Sequence, residues 1–253
     1  MMMGGASRAL LACVALLAMS AAFADPITQP AKPGEYAALA ALPDWSGVWQ
    51  PDWKGLFASR TASIPVLLPE PAKKLAAFEE AKKKGENLQT ELANCVPPGM
   101  PQIMRMPYPI EFLFTPGRVT LNIETESQMR RIYTDGRPLP DDPDPYYNGW
   151  SVGHWEGDTL IVDTNGLNPK TSLVAGVHPS EKAVIREKMH LIGPDKLAIE
   201  TTITDPLVLA KPLVLETNYI RKRDWQIKEY VCQENNRDKA DEFGRPSLDI
   251  TKN

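Results

Sequence analysis

The chain has 253 residues, with 28 Lys and Arg against 32 Asp and Glu, three His and three Cys. A formal charge of -4 without a basic block excludes the usual nucleic-acid binder, and 43% hydrophobic residues exclude a disordered chain. The 24 prolines, a density about twice the ~5% average, argue against a helical bundle.

Residues 1–24 read as a secretory signal. Arg8 supplies the positive start, residues 9–19 are an uncharged apolar run, and Ala22-Phe23-Ala24 gives the small-x-small pattern that sets a cut after Ala24. Leu11-Ala12-Cys13 offers a lipoprotein cut as the alternative. The run is too short to span a bilayer, and no later stretch is long and apolar enough, so a periplasmic or secreted protein without a membrane span is expected. Export leaves Cys95 and Cys232, an even pair in an oxidising compartment, and predicts a disulfide between them. Such a long closed loop stabilises by about 4–5 kcal/mol in the chain-entropy view.

Residues 25–43 form a leader arm rich in Pro and Ala, and ordered structure begins at residues 44–49, DWSGVW. Gly47-Val48-Trp49 resembles the lipocalin opening, in which the Trp plugs one barrel end; a Trp in an ordinary core strand is the alternative. Residues 69–84 are the one convincing helix, with Glu70 near its start, three lysines at its end and Gly85 to stop it. Residues 95–110, CVPPGMPQIMRMPYPI, make a Pro-rich loop.

Strands follow. Alternation and turn residues predict strands over 112–114, 119–123, 129–134, 151–155, 159–163, 184–191, 196–204, 214–221 and 226–232. The expected fold is mainly β, an antiparallel meander closing into a calycin- or lipocalin-like barrel, with one N-terminal helix and a Pro-rich loop. One domain is expected over 25–253, with the helix and Pro-rich arm in 25–110 and the meander in 111–253.

Five stretches carry a resemblance: NCVPPGMPQIM at 94–104, PYPIEFLFTPGRV at 107–119, RRIYTDGRP at 130–138, WSVGHWEGDTLIVDTNGLN at 150–168 and EYVCQENNR at 229–237. On these the chain resembles an uncharacterised family of secreted bacterial β-rich proteins, which implies compartment and fold rather than a reaction. It departs from the family's Pro-His-Ser pattern in reading His178-Pro179-Ser180-Glu181.

No Gly-x-Ser-x-Gly, His-Glu-x-x-His, phosphate loop or dinucleotide fingerprint occurs in the chain. General acid–base chemistry or binding without reaction remains. A two-residue turn at Gly157-Asp158 sets Trp155 opposite Leu160 and Val152 opposite Asp163. His154, Asp163, Trp150 and Asn165 then share one sheet face, while Trp155, Leu160 and Val162 face the core. A three-residue turn would break that register, and the polar face suits either a pocket or solvent. Alternation also groups Arg131, Tyr133 and Asp135, opposite Arg130, Ile132 and Thr134. Inside a barrel the first trio would hold a carboxylate or enolate, with Glu111 and Tyr108 lining the same mouth; an Arg-Asp pair at the strand end is the alternative.

The three histidines lack ligand spacing, and Met100, Met104 and Met106 suit core packing better than copper(I), so neither metal nor cofactor is expected. The leading expectation is an exported, cofactor-free lyase, isomerase or hydratase acting on a small, partly aromatic organic molecule. In it His154 serves as base or acid, Asp163 orients it, and Tyr133 and Arg131 stabilise developing charge. The alternative is a periplasmic binding protein for a hydrophobic small molecule, with Trp45, Trp49, Trp150 and Trp155 as cavity walls; a pocketless envelope protein is a third.

Overall fold

The computed structural model describes residues 35–55, 64–85, 95–174 and 176–232. The signal segment 1–24 and the end of the meander beyond 232 lie outside them. Nine strands close in sequence order into one barrel: β1 (Val48–Pro51), β2 (Ile110–Thr115), β3 (Arg118–Ile123), β4 (Gln128–Tyr133), β5 (Trp150–Glu156), β6 (Thr159–Asn165), β7 (Val184–Gly193), β8 (Lys196–Thr204) and β9 (Leu213–Lys222). The mainly β barrel read from the sequence is therefore present, with two differences in membership. Residues 48–51 are a barrel strand within the stretch assigned to the arm, and residues 226–232 form no strand. The latter run is held through side chains of the β3–β4 turn: Glu124 accepts the Lys228 N–H at 3.0 Å and Glu126 that of Cys232 at 3.2 Å. Cys232 is bonded to Cys95 with Cα atoms 5.5 Å apart.

An odd-numbered barrel of sequential neighbours cannot be antiparallel throughout. The exception is β4–β5, parallel, and paired only at Ile132–Ser151 and Tyr133–Val152. Residues 134–149 carry the chain back along the barrel to permit it, as a parallel connection requires. Every other pair is antiparallel, and the β5–β6 register matches the two-residue turn at Gly157-Asp158, with Trp155 opposite Leu160.

Two ends follow from this topology. The β2–β3, β5–β6 and β7–β8 turns gather at one, here the open end; the Pro-rich loop and the β3–β4 turn lie toward the other. At the far end Met100, Ile103 and Met104 are buried, and the Tyr219 hydroxyl donates to the Met104 carbonyl at 2.7 Å. Met100 and Met104 are core residues, and Met106 is half-buried. Gly99 is the only residue type that fits its place, since φ is +60° and a Cβ would sit 2.4 Å from the Tyr147 carbonyl oxygen. Two short helical turns, α1 (Glu35–Ala38) and Leu39–Ala41, lie over the open end; the helix expected at 69–84 is α2 (Pro69–Lys83), whose Leu75 packs on the core.

Alternate residues fill the interior, Leu121, Ile123, Ile132, Leu160, Val162, Ile185, Ile199 and Ile203 among them, each fully or almost fully buried. Each such side chain stabilises by about 1.5–3 kcal/mol. Trp49 is buried where β1 leaves the open end; its indole N–H donates to the Trp45 carbonyl at 3.0 Å and the Arg221 guanidinium lies 4.5 Å from its ring centre. That burial on a barrel strand fits an ordinary core-strand Trp as well as the lipocalin-like plug.

Candidate functional site

The strands divide the sequence-predicted residues between faces. Trp155, Leu160 and Val162 point inward as expected, which turns His154, Asp163, Trp150 and Asn165 outward. His154 is exposed, and its Nε2 lies 3.0 Å from Glu156 Oε1 rather than against Asp163. Asp163 Oδ1 lies 3.6 Å from Arg186 Nη1. Trp150 packs edge-on against Tyr146, 5.3 Å between centroids, and donates its indole N–H to the Asp144 carbonyl at 3.2 Å. Asn165 Nδ2 donates to the Pro140 carbonyl at 2.7 Å.

On β4 the sidedness is the reverse of that required for an interior Arg131, Tyr133 and Asp135. Arg130 and Ile132 are buried, and Arg131 is exposed. Tyr133 and Asp135 do meet a guanidinium, but it belongs to Arg137, 3.9 Å from the Tyr133 ring centre and 2.7 Å from Asp135 Oδ2. Partial burial raises the Asp135 carboxyl, yet the hydrogen bonds and charge of Arg137 outweigh it and hold the group below its ordinary value. Glu111 accepts from Asn122 Nδ2 at 3.3 Å. Tyr108 stacks on Tyr230 at the far end, 4.9 Å between centroids, and burial and that hydrogen-bonded neighbour push its phenol up to about 12.

Two features were not anticipated as sites. The first lies inside the barrel. Arg130 and Glu187, both buried, form an ion pair, with Arg130 Nη1 donating to Glu187 Oε1 at 3.1 Å. Arg130 Nη2 also donates to Thr164 Oγ1 at 3.0 Å, and Nε to Ser151 Oγ at 3.3 Å. A buried charge needs a partner and filled hydrogen-bond positions, and this cluster supplies both. It joins β4, β5, β6 and β7 by side chains across the β4–β5 seam, which backbone pairing holds at only two residue pairs. Burial also holds the nearby Tyr219 phenol far above its ordinary range. The sequence signal was present: Arg130 shares its face with Ile132.

The second is a cavity of about 310 Å³ at the open end. Its roof is Glu35, Ala38, Leu39 and Leu42, its rim Thr115, Gly117 and Thr134, and its walls Phe114, Trp155, Val119 and Arg118. Beyond Tyr133, β5 has no paired partner on the β4 side, so Gly153–Glu156 border a gap in the wall. Phe114 and Trp155 meet edge to face at 5.8 Å, with Trp45 beneath them, 5.2 Å from Trp155 and 4.9 Å from Phe112. Gly153 on β5 is close-packed, since a Cβ there would lie 2.9 Å from both Ile132 Cγ2 and the Ile161 carbonyl oxygen. Among the four tryptophans considered as cavity walls, Trp155 lines the cavity, Trp45 and Trp49 lie buried, and Trp150 is outside.

Among the described residues no three or more His, Cys, Asp or Glu converge as metal ligands, and no helix is long and apolar enough to cross a membrane. Compared with family models and with curated proteins, the chain matches none.

Proposed function

We propose that this is an exported binding protein that holds a small, partly aromatic organic molecule in the open-end cavity. The observation that carries the reading is the cavity itself: about 310 Å³, walled by Phe114 and Trp155, roofed by Leu39 and Leu42, with Glu35, Thr115, Arg118 and Thr134 as its polar residues. Concave, largely apolar sites of that size with one or two placed polar groups are where proteins hold small ligands. Action outside the cytoplasm is supported by the Cys95–Cys232 disulfide, which persists in an oxidising compartment, and by the signal-like residues 1–24. Acid–base catalysis by His154, Asp163, Tyr133 and Arg131 has less behind it, because those four side chains lie on the outer face and none lines the cavity.

The test uses N-phenyl-1-naphthylamine, an uncharged aromatic probe whose emission rises in apolar surroundings. Saturable 1:1 binding is expected, weakened at least about tenfold by Ala38→Trp, which fills the cavity from its exposed roof, and unchanged within about twofold by His154→Ala. Absence of saturable binding, or binding indifferent to Ala38→Trp, contradicts the reading.

A further inference from the structure

We propose that the occupant of the open-end cavity is an aromatic monoanion whose carboxylate is held by Arg118, an inference that rests on the binding reading above. Arg118 begins β3 at the cavity wall, directly after the Pro116-Gly117 turn. Its Nε is buried and has no hydrogen-bond partner among the described residues. A second donor is in the same condition beneath the cavity's aromatic rings, outside its lining. The Trp45 indole N–H is buried without a partner, and the Trp45 ring lies 5.9 Å from Phe114 and 5.2 Å from Trp155, the two aromatic rings of the cavity wall.

Buried donors are nearly always satisfied, because leaving one unmade costs about 1–3 kcal/mol. The orphaned Arg118 Nε at the cavity lining is therefore best explained by an acceptor that arrives with the ligand. The nearby carboxylate of Asp135 is engaged by Arg137 through both oxygens, at 2.7 and 3.0 Å, and does not serve that need. Guanidinium favours a carboxylate, which accepts two parallel N–H bonds, over a neutral acceptor. The flat walls of Phe114 and Trp155 select an aromatic body for the same molecule.

The experiment compares 1-naphthoate with 1-naphthamide, which share shape and differ in charge, by isothermal titration of the full chain. Naphthoate is expected to bind about ten- to a hundredfold more tightly. Arg118→Met is expected to remove that preference while leaving naphthamide within about twofold, and Arg118→Lys to restore part of it. Arg131→Met, at an exposed arginine on the outer face, serves as the control for long-range charge and leaves both affinities unchanged. Equal affinities, or a preference that survives Arg118→Met, overturn the anion assignment and leave the cavity reading standing. Failure of both probes to bind overturns the cavity reading and this inference with it. A folded Arg118→Lys variant keeps the comparison decisive if Arg118→Met does not fold.

Discussion

Arg130 and Arg131 are chain neighbours with the same charge, and the pleat of β4 sends one into the barrel and the other into water. The buried one is held by Glu187, Ser151 and Thr164, so removing its counter-charge leaves an uncompensated guanidinium in the core. Glu187→Leu is expected to cost about 3–5 kcal/mol in urea unfolding, and the double variant Arg130→Met/Glu187→Leu to recover most of it. A double variant as unstable as the single would mean that the cluster, and not the orphaned charge, matters. Asp44 gives a different residue-scale prediction. The Ser46 hydrogen bonds and the Arg221 guanidinium lower its carboxyl to about 2. A carboxyl depressed in the folded state stabilises fully above its unfolded value, near 3.9, and loses that contribution as the pH falls through about 2. Melting curves should therefore show wild type losing more stability than Asp44→Asn between about pH 4 and pH 2. Parallel curves would remove Asp44 from the acid response. At this scale the sequence was half legible: alternation divided Arg130 from Arg131 and His154 from Trp155, but which face is interior depends on the company each keeps. Ile132 beside Arg130 settles it on β4 as Leu160 and Val162 do on β6.

Among the elements, β8 falls on the residues where alternation put it, and the helix ends one residue early. Long strands with unbroken period-two patterns and tight turns are specified locally. What was not legible has non-local causes. β1 is four residues long and exists because β9 and β2 flank it. Residues 226–232 alternate like a strand yet find no edge to pair with, since the barrel is already closed by β1. The parallel β4–β5 seam follows from strand count and cannot be seen in either strand alone. That seam leaves the gap beside Gly153–Glu156, and Gly153 is where its packing is tightest. Gly153→Ala is expected to destabilise by about 1–3 kcal/mol, because the new methyl meets a backbone carbonyl that cannot retreat without disturbing the β5–β6 ladder. Urea unfolding checks it; a neutral result would show the packing around Gly153 to be softer than its contacts imply.

Over the whole molecule, apolar side chains of the described residues fill the barrel interior, and the cavity lies at an end. Toward the far end Met100, Ile103 and Met104 are buried, and toward the open end Trp49 is buried under Arg221. What remains is the cavity beneath residues 35–42, part of a stretch that reads in sequence as a mere arm. Its lining comes from three separate regions, α1 and the turn after it, the β2–β3 hairpin, and β5, so no local motif announces it. The sequence pointed instead to WSVGHWEG, whose polar residues lie on the outside of the same strand that contributes Trp155 to the inside. Six tryptophans report on this arrangement at once. The most direct measurement is a titration of 1-naphthoate followed through the six indole N–H resonances in a ¹⁵N–¹H correlation spectrum. The account predicts large shifts for Trp155 and Trp45, with Trp150 and the exposed Trp225 unmoved; shifts centred on Trp150, on the same outer face as His154, would contradict it.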